Sequence, residues 1–199
     1  MKSLYKIVST INFDRQIIID SLENDPDVFP KDGPKTTIDV IRNAEQAKLI
    51  TDTIGLNYEN LREILVIKMP PQYSNTIHSD GDERFLGTLI PLTQCNDVYM
   101  QWWDPIETSM IKEMPDFPLF AKDVVYKMLR PEQAVIKDRI KVDQMLIADV
   151  NKYHNVKNEG TIEEWFLSIR FKLCKDYVQG ISNIPETFER VENFLFNTA

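Results

Sequence analysis

The sequence predicts a mainly β chain with flanking helices, arranged as an antiparallel sandwich or jelly roll with the helices packed on one sheet. Two observations support this prediction. Short segments rich in β-branched and apolar residues follow one another from residue 63 to residue 176, with turn-rich stretches between them. Helical spacing of apolar residues instead occurs before residue 63 and after residue 177.

The N-terminal region contains two segments with helical spacing. The first opens at Asn12-Phe13-Asp14 and is ended by Asp25-Pro26. The second covers 44–54, and Gly55 is a suitable C-terminal stop for it. The same region holds two predicted strands, at 4–11 and 36–42.

The central region predicts a series of short strands. Their ranges are 64–69, 74–80, 85–92, 98–103, 144–150 and 165–174. The segment 117–130 interrupts the series and is predicted to be helical around Leu119 to Leu129. Apolar residues with helical spacing over 185–196 predict a closing helix.

The composition is that of an ordinary globular protein. A length of 199 residues with 43% hydrophobic residues is sufficient for one domain with a substantial core. A net charge of -8 without a basic run disfavours binding to nucleic acid and to anionic membranes. Cys95 and Cys174 lack metal-site spacing, and Met1 to Lys6 lacks the apolar core of a signal peptide. We therefore expect reduced thiols and a cytoplasmic location.

The segment His78-Ser79-Asp80 is the strongest indication of chemistry. Side chains two residues apart on an extended strand share a face, so that His78 and Asp80 can bind one ion together. An imidazole nitrogen and a carboxylate oxygen suit a borderline divalent ion such as Fe(II). The other histidine of the chain, His154, follows an apolar strand and a polar turn in the phrase His154-Asn155-Val156-Lys157-Asn158. Two histidines and one carboxylate would leave coordination positions open for substrates.

These phrases resemble those of the Fe(II)/2-oxoglutarate-dependent dioxygenases, in which the distal histidine commonly occurs in a His-x-Val-x-Asn phrase. The segments 85–92 and 165–171 resemble the strand after the metal pair and the last core strand of that superfamily. The resemblance points to its hydroxylase-like branches, including prolyl and aspartyl/asparaginyl hydroxylase relatives. It implies a double-stranded β-helix (a cupin-like jelly roll), with His78, Asp80 and His154 as the iron ligands.

The resemblance also implies that an arginine on the last strand holds the far carboxylate of 2-oxoglutarate, usually with a Ser or Thr two residues on. Glu164 stands at the usual spacing from the distal histidine, where its charge would repel the co-substrate. The nearest basic candidate on the strand is Arg170, and Lys172 is the next.

Alternation along the segment 165–174 separates an apolar face from a mixed face. The mixed face carries Ser168 and Arg170, and we expect it to line the pocket while the apolar face packs on helices. Because the planar fork of an arginine grips a carboxylate through two hydrogen bonds, Arg170 is predicted to anchor 2-oxoglutarate beside Ser168.

We expect one domain over 1–199. Residues 1–62 would support the sheet, residues 63–176 would form the jelly-roll core with its metal site, and residues 177–199 would hold the C-terminal helix. By resemblance, the expected activity is hydroxylation of an amino acid or amino-acid residue. The expected cofactor is Fe(II), with 2-oxoglutarate and O2 as co-substrates and a small molecule or peptide as substrate.

Two alternatives remain open at this point. The first is a metal-dependent jelly-roll oxygenase that does not use 2-oxoglutarate, which Glu164 favours. The second is a jelly-roll binding or structural protein without catalysis. The sequence does not set the oligomeric state or the substrate.

Overall fold

The computed structural model describes residues 3–9, 11–25, 38–80, 86–114, 126–171 and 184–196. The α-helices in these ranges are α1 (Arg15–Glu23), α2 (Ala44–Ile54) and α3 (Ile184–Phe196). The strands are β1 (Tyr5–Val8), β2 (Ile38–Val40), β3 (Leu61–Met69), β4 (Ile77–Ser79), β5 (Leu86–Pro91), β6 (Val98–Pro105), β7 (Lys112–Met114), β8 (Tyr126–Leu129), β9 (Ala134–Lys141), β10 (Met145–Asp149), β11 (His154–Asn158) and β12 (Glu164–Phe171).

The strands form two antiparallel sheets of six strands each. Sheet A has the order β1-β10-β5-β12-β3-β2, and sheet B has the order β7-β8-β4-β11-β6-β9. The pairs are nested, because β6 pairs with β9, β5 with β10, β4 with β11, and β3 with β12. This nesting is the double-stranded β-helix, so the predicted jelly-roll fold is confirmed.

The helices pack on the outer face of sheet A, as predicted. Their apolar side chains share one buried cluster with the outward-pointing residues of β12, including Leu167 and Ile169. Helix α1 begins after Asp14, whose carboxylate accepts from the Gln16 amide at 3.0 Å. Helix α2 ends at Gly55, which adopts a left-handed conformation with φ of 84°. The three helices therefore cover the face of sheet A that points away from sheet B.

A second buried cluster fills the space between the sheets. Its largest members are Trp102 from β6 and Phe166 from β12, both almost fully buried. The Trp102 indole donates to the Asp149 carbonyl at 2.9 Å and stacks on Tyr5, with the ring centroids 5.4 Å apart. Because Tyr5 belongs to sheet A, this contact joins the inner faces of the two sheets.

The helix predicted around Leu119 to Leu129 is wrong at its C-terminal end. Residues 126–129 form strand β8, which pairs with β4 on one side and with β7 on the other. A short apolar run fits either structure, and here the hydrogen bonds to two neighbouring strands determine the outcome. Residues 117–125 lie outside the described residues, as do Lys172 and Cys174.

Strands β7, β9 and β11 were not predicted. Strand β9 lies at the edge of sheet B, half of its residues are charged and only Ala134 is buried, so that it lacks a clear apolar face. The other predicted elements are present, with ends that differ by a few residues. Among the described residues, no helix combines the length and apolar character needed to cross a membrane.

Asn158 stabilises the turn that connects β11 to β12. Its fully buried amide donates to the Met69 carbonyl at 2.9 Å and to the Ile162 carbonyl at 2.8 Å. Its side-chain oxygen accepts from the Gly160 amide at 2.9 Å. The last residue of the His-x-Val-x-Asn phrase therefore has a structural role, since it satisfies backbone groups from β3 and from the turn.

We expect Asn158→Ala to lower the free energy of unfolding by about 2 to 4 kcal/mol, because buried backbone groups lose their partners. Lys157→Ala is the matched control on the same strand. Its solvent-facing ion pair with Glu159 should contribute no more than about 0.5 kcal/mol. Urea denaturation measures both changes. Equal effects of the two substitutions would contradict the role assigned to Asn158.

Candidate metal centre

His78 and His154 are brought together by strand pairing. They are direct partners in the antiparallel pair of β4 and β11, and their ring centroids are 4.5 Å apart. His154 is also the direct partner of Trp102 on β6, and Trp102 points between the sheets. Because direct partners share a face, both imidazoles lie on the inner face of sheet B.

Backbone carbonyls fix the orientation of both imidazoles. His78 Nδ1 lies 2.7 Å from the Thr76 carbonyl oxygen, and His154 Nδ1 lies 2.9 Å from the Lys152 carbonyl oxygen. A carbonyl oxygen only accepts hydrogen bonds, so each Nδ1 is the donor. In the neutral ring Nε2 then keeps its lone pair, which is the arrangement that metal-binding histidines require.

Asp80 completes the group from the segment that follows β4. The Asp80 amide donates to the Val150 carbonyl at 2.9 Å, and the neighbouring Ser79 hydroxyl donates to the Asn151 carbonyl at 2.7 Å. Asp80 Oδ1 lies 3.4 Å from His78 Nε2. The ligand atoms of His78, Asp80 and His154 all lie within 4.8 Å of one another. The structure thus brings together the three residues that the sequence predicted as ligands.

The donor set fits Fe(II). Two imidazole nitrogens and one carboxylate oxygen on one side of an ion form the facial arrangement used by non-haem iron oxygenases, and they leave the other positions open. His154 and Asp80 are nearly buried, whereas the His78 side chain is 20% exposed. The group therefore lies at the margin of the inter-sheet space, with the His78 side chain partly exposed to solvent.

The pKa of His78 is raised above the ordinary histidine value. Burial acts to lower this pKa, but the hydrogen bond and the negative charge of Asp80, with help from the Thr76 carbonyl, outweigh it. In the metal-free protein Asp80 therefore favours a proton on His78 Nε2. A metal ion at this position must displace that proton.

The predicted alternation of strand β12 is confirmed. Leu167 and Ile169 lie in the cluster under the helices, whereas Phe166 lies in the cluster between the sheets. Ser168 and Arg170 share the inner face with Phe166, and both are half-buried. Their predicted contact with a co-substrate stays a prediction, and Lys172 lies outside the described residues.

Sequence reasoning missed Glu63. It is the direct partner of Arg170 in the pair of β3 and β12, and Arg170 Nη1 donates to Glu63 Oε2 at 2.8 Å. No local pattern indicates this contact, because the two residues are far apart in the chain and meet only through the strand register.

Glu164 lies on the inner face of β12 and is 2% exposed. The Thr93 hydroxyl donates to its carboxylate, and the same hydroxyl oxygen accepts from the Trp165 amide at 2.9 Å. A buried carboxylate therefore occupies the position at which the resemblance implies an arginine.

Burial raises the pKa of the nearby Cys95 thiol to about 12, so that this thiol stays protonated at neutral pH.

No protein-family model matches the chain, and no curated protein matches it. A cupin domain from Bordetella pertussis Tohama I is 14% identical with a TM-score of 0.30, over 55% of this chain and 80% of that one. A protein with a double-stranded β-helix domain from Klebsiella pneumoniae subsp. pneumoniae MGH 78578 is 12% identical with a TM-score of 0.30, over 55% of this chain and 66% of that one. The non-haem α-ketoglutarate-dependent carbocyclase SnoK from nogalamycin biosynthesis is 11% identical with a TM-score of 0.49, over 85% of this chain and 80% of that one. These similarities concern the fold alone, and the class of this protein is a cupin-type double-stranded β-helix that carries a His-Asp-His group.

We expect the protein to bind about one Fe(II) ion per chain, and each of His78→Ala, Asp80→Ala and His154→Ala to weaken binding by more than about 100-fold. Asp149→Asn is the control. Asp149 is a buried acidic residue outside the His-Asp-His group, and burial raises its pKa. Because an asparagine oxygen can still accept from the Asn151 amide, this substitution should leave metal binding unchanged. Anaerobic equilibrium dialysis measures the affinities. Equal binding by wild type and His154→Ala would contradict the assignment.

Metal affinity should fall as the pH is lowered. Below the raised pKa of His78, a proton competes with the metal for Nε2, and the affinity should drop about tenfold per pH unit. In the metal-free protein the interaction between protonated His78 and Asp80 stabilises the fold. This stabilisation is fully present below the ordinary histidine pKa. That stabilisation is lost as the pH rises through the raised pKa. Titrations with Co(II) at several pH values test this expectation, and an affinity independent of pH would contradict it.

Proposed function

We propose that this protein is a non-haem Fe(II)- and 2-oxoglutarate-dependent dioxygenase that hydroxylates an amino acid or an amino-acid residue. The observation that carries the proposal is the orientation of the two imidazoles. Both donate from Nδ1 to backbone carbonyls and present Nε2 to the space that they share with the Asp80 carboxylate. This is the ligand set that a facial iron site needs.

The chain's own residues would hold the metal and shape its surroundings. His78, Asp80 and His154 would bind Fe(II), and the carbonyls of Thr76 and Lys152 would keep the rings in place. When bound, Fe(II) supplies the redox chemistry that couples O2 and 2-oxoglutarate to hydroxylation of a C–H bond. The buried apolar cluster between the sheets would exclude water from the inner side of the site.

Arg170 and Ser168 are proposed to bind the far carboxylate of 2-oxoglutarate. Both side chains lie on the inner face of β12, which faces the sheet that carries the histidines. Strand β12 returns from the turn that follows β11, so that Arg170, near its end, lies toward the end of the sandwich that carries His154. An arginine in this position can bind a carboxylate through parallel hydrogen bonds.

The second candidate is a metal-dependent oxygenase that does not use 2-oxoglutarate. Two observations favour it: the buried Glu164 on the inner face of β12, and the ion pair that Arg170 makes with Glu63. A non-catalytic jelly-roll protein is the remaining alternative, and failure to bind Fe(II) would distinguish it. The net charge of -8 suits an amino acid or peptide better than a nucleic acid as substrate.

Addition of Fe(II) and then 2-oxoglutarate without oxygen should produce the weak visible charge-transfer band of the chelate in the wild type. Arg170→Ala should weaken 2-oxoglutarate binding by about 100-fold or more, because a charge-assisted pair of hydrogen bonds is lost. Lys172→Ala, the control on the other basic candidate, should leave the band unchanged.

Three outcomes separate the candidates. An iron-loaded protein without the band would reject 2-oxoglutarate and favour the second candidate. A band that is unaffected in Arg170→Ala and lost in Lys172→Ala would move the anchor to Lys172. A coupled assay of succinate formation over candidate amino acids and peptides would then identify the substrate.

A further inference from the structure

Glu63 and Arg170 form a cross-strand ion pair that points between the two sheets. Their chain neighbours Ile64 and Ile169 lie in the cluster under the helices, so strand alternation turns both charged side chains to the inner face. The Arg170 and Glu63 side chains are only 11% and 25% exposed. Solvent and salt therefore screen this pair less than they screen a surface pair.

The ion pair lies at the same end of the sandwich as the His-Asp-His group. Strand β11 leads away from His154 to the turn before Glu164, and β12 then returns toward its last residues, which include Arg170. Glu164 is accordingly at the far end, and Arg170 is at the near end.

The Glu63 carboxylate is a rival for any carboxylate that approaches Arg170. It neutralises the guanidinium and accepts a hydrogen bond from one of its terminal nitrogens at 2.8 Å. A second carboxylate at this guanidinium must either replace Glu63 or lie beside it. Replacing Glu63 costs its ion pair with Arg170, and a position beside Glu63 places two negative charges close together, so that both cases oppose binding.

We infer that Glu63 competes with the carboxylate of the co-substrate for the guanidinium of Arg170. The inference rests on the proposed function, because it takes Arg170 as the co-substrate anchor. Glu63 would thereby lower the affinity of the pocket for 2-oxoglutarate and weaken its preference for a ligand with a distal carboxylate.

The test compares two keto acids on the full-length chain by isothermal titration calorimetry in the presence of Co(II) and without oxygen. 2-Oxoglutarate carries a distal carboxylate, whereas 2-oxopentanoate has the same keto-acid end and lacks it. Glu63→Gln keeps an acceptor for Arg170 and removes the negative charge. It should bind 2-oxoglutarate about tenfold more tightly than the wild type, with no change for 2-oxopentanoate.

A merely structural role for Glu63 would not change the selectivity between these two ligands. Glu63→Ala is a second variant, in case the glutamine variant fails to fold, and should shift the selectivity in the same direction. Unchanged or weaker binding of 2-oxoglutarate by a folded Glu63 variant, or an equal gain for both ligands, overturns the inference.

Arg170→Ala separates this failure from that of the proposed function. If Arg170→Ala loses 2-oxoglutarate binding and the Glu63 variants show no gain, the competition is rejected and the anchor stands. If Arg170→Ala binds as well as the wild type, or if neither the wild type nor Glu63→Gln binds 2-oxoglutarate, the anchor and the competition are both rejected.

Discussion

The site depends on the register between β4 and β11, which makes His78 and His154 direct partners on one face of sheet B. A shift of one residue would turn one imidazole to the outer face and separate the ligands. The ladder between these two strands is short, and side chains reinforce it. The Val156 amide donates to the Asn75 side-chain oxygen at 2.6 Å, and the Asn155 amide group donates to the Ser74 hydroxyl at 2.8 Å. Residues next to His154 thus hold its strand in place, while the two backbone carbonyls orient the rings.

A second constraint is the division of charge along the inner face of β12. The end away from His154 carries the buried carboxylate of Glu164, which accepts from the Thr93 hydroxyl. The end near the His-Asp-His group carries Arg170, which Glu63 neutralises. An anionic ligand would therefore have to compete with Glu63 for Arg170 at the near end, and it would be repelled by the Glu164 carboxylate at the far end.

Local patterns predicted the part of the site that depends on chain geometry alone. Strand alternation placed His78 with Asp80, and Ser168 with Arg170, because side chains two residues apart share a face in any strand. The resemblance added His154 to the first pair. The contact between Glu63 and Arg170 could not be predicted in this way, since it depends on which strands become neighbours and in which register. The same limit explains β8, whose apolar residues fit a helix until the pairing with β4 and β7 is known.

The most direct test of the metal centre is nitrogen NMR of the protein with isotope-labelled histidine, since the chain contains only two histidines. At a pH at which both rings are neutral, His78 and His154 should each carry their proton on Nδ1. Addition of Zn(II), a diamagnetic substitute for iron, should then shift the Nε2 signals of both rings together at one equivalent. A proton on Nε2 of either neutral ring, or Nε2 signals that do not respond to the metal, would contradict a centre built on these two histidines.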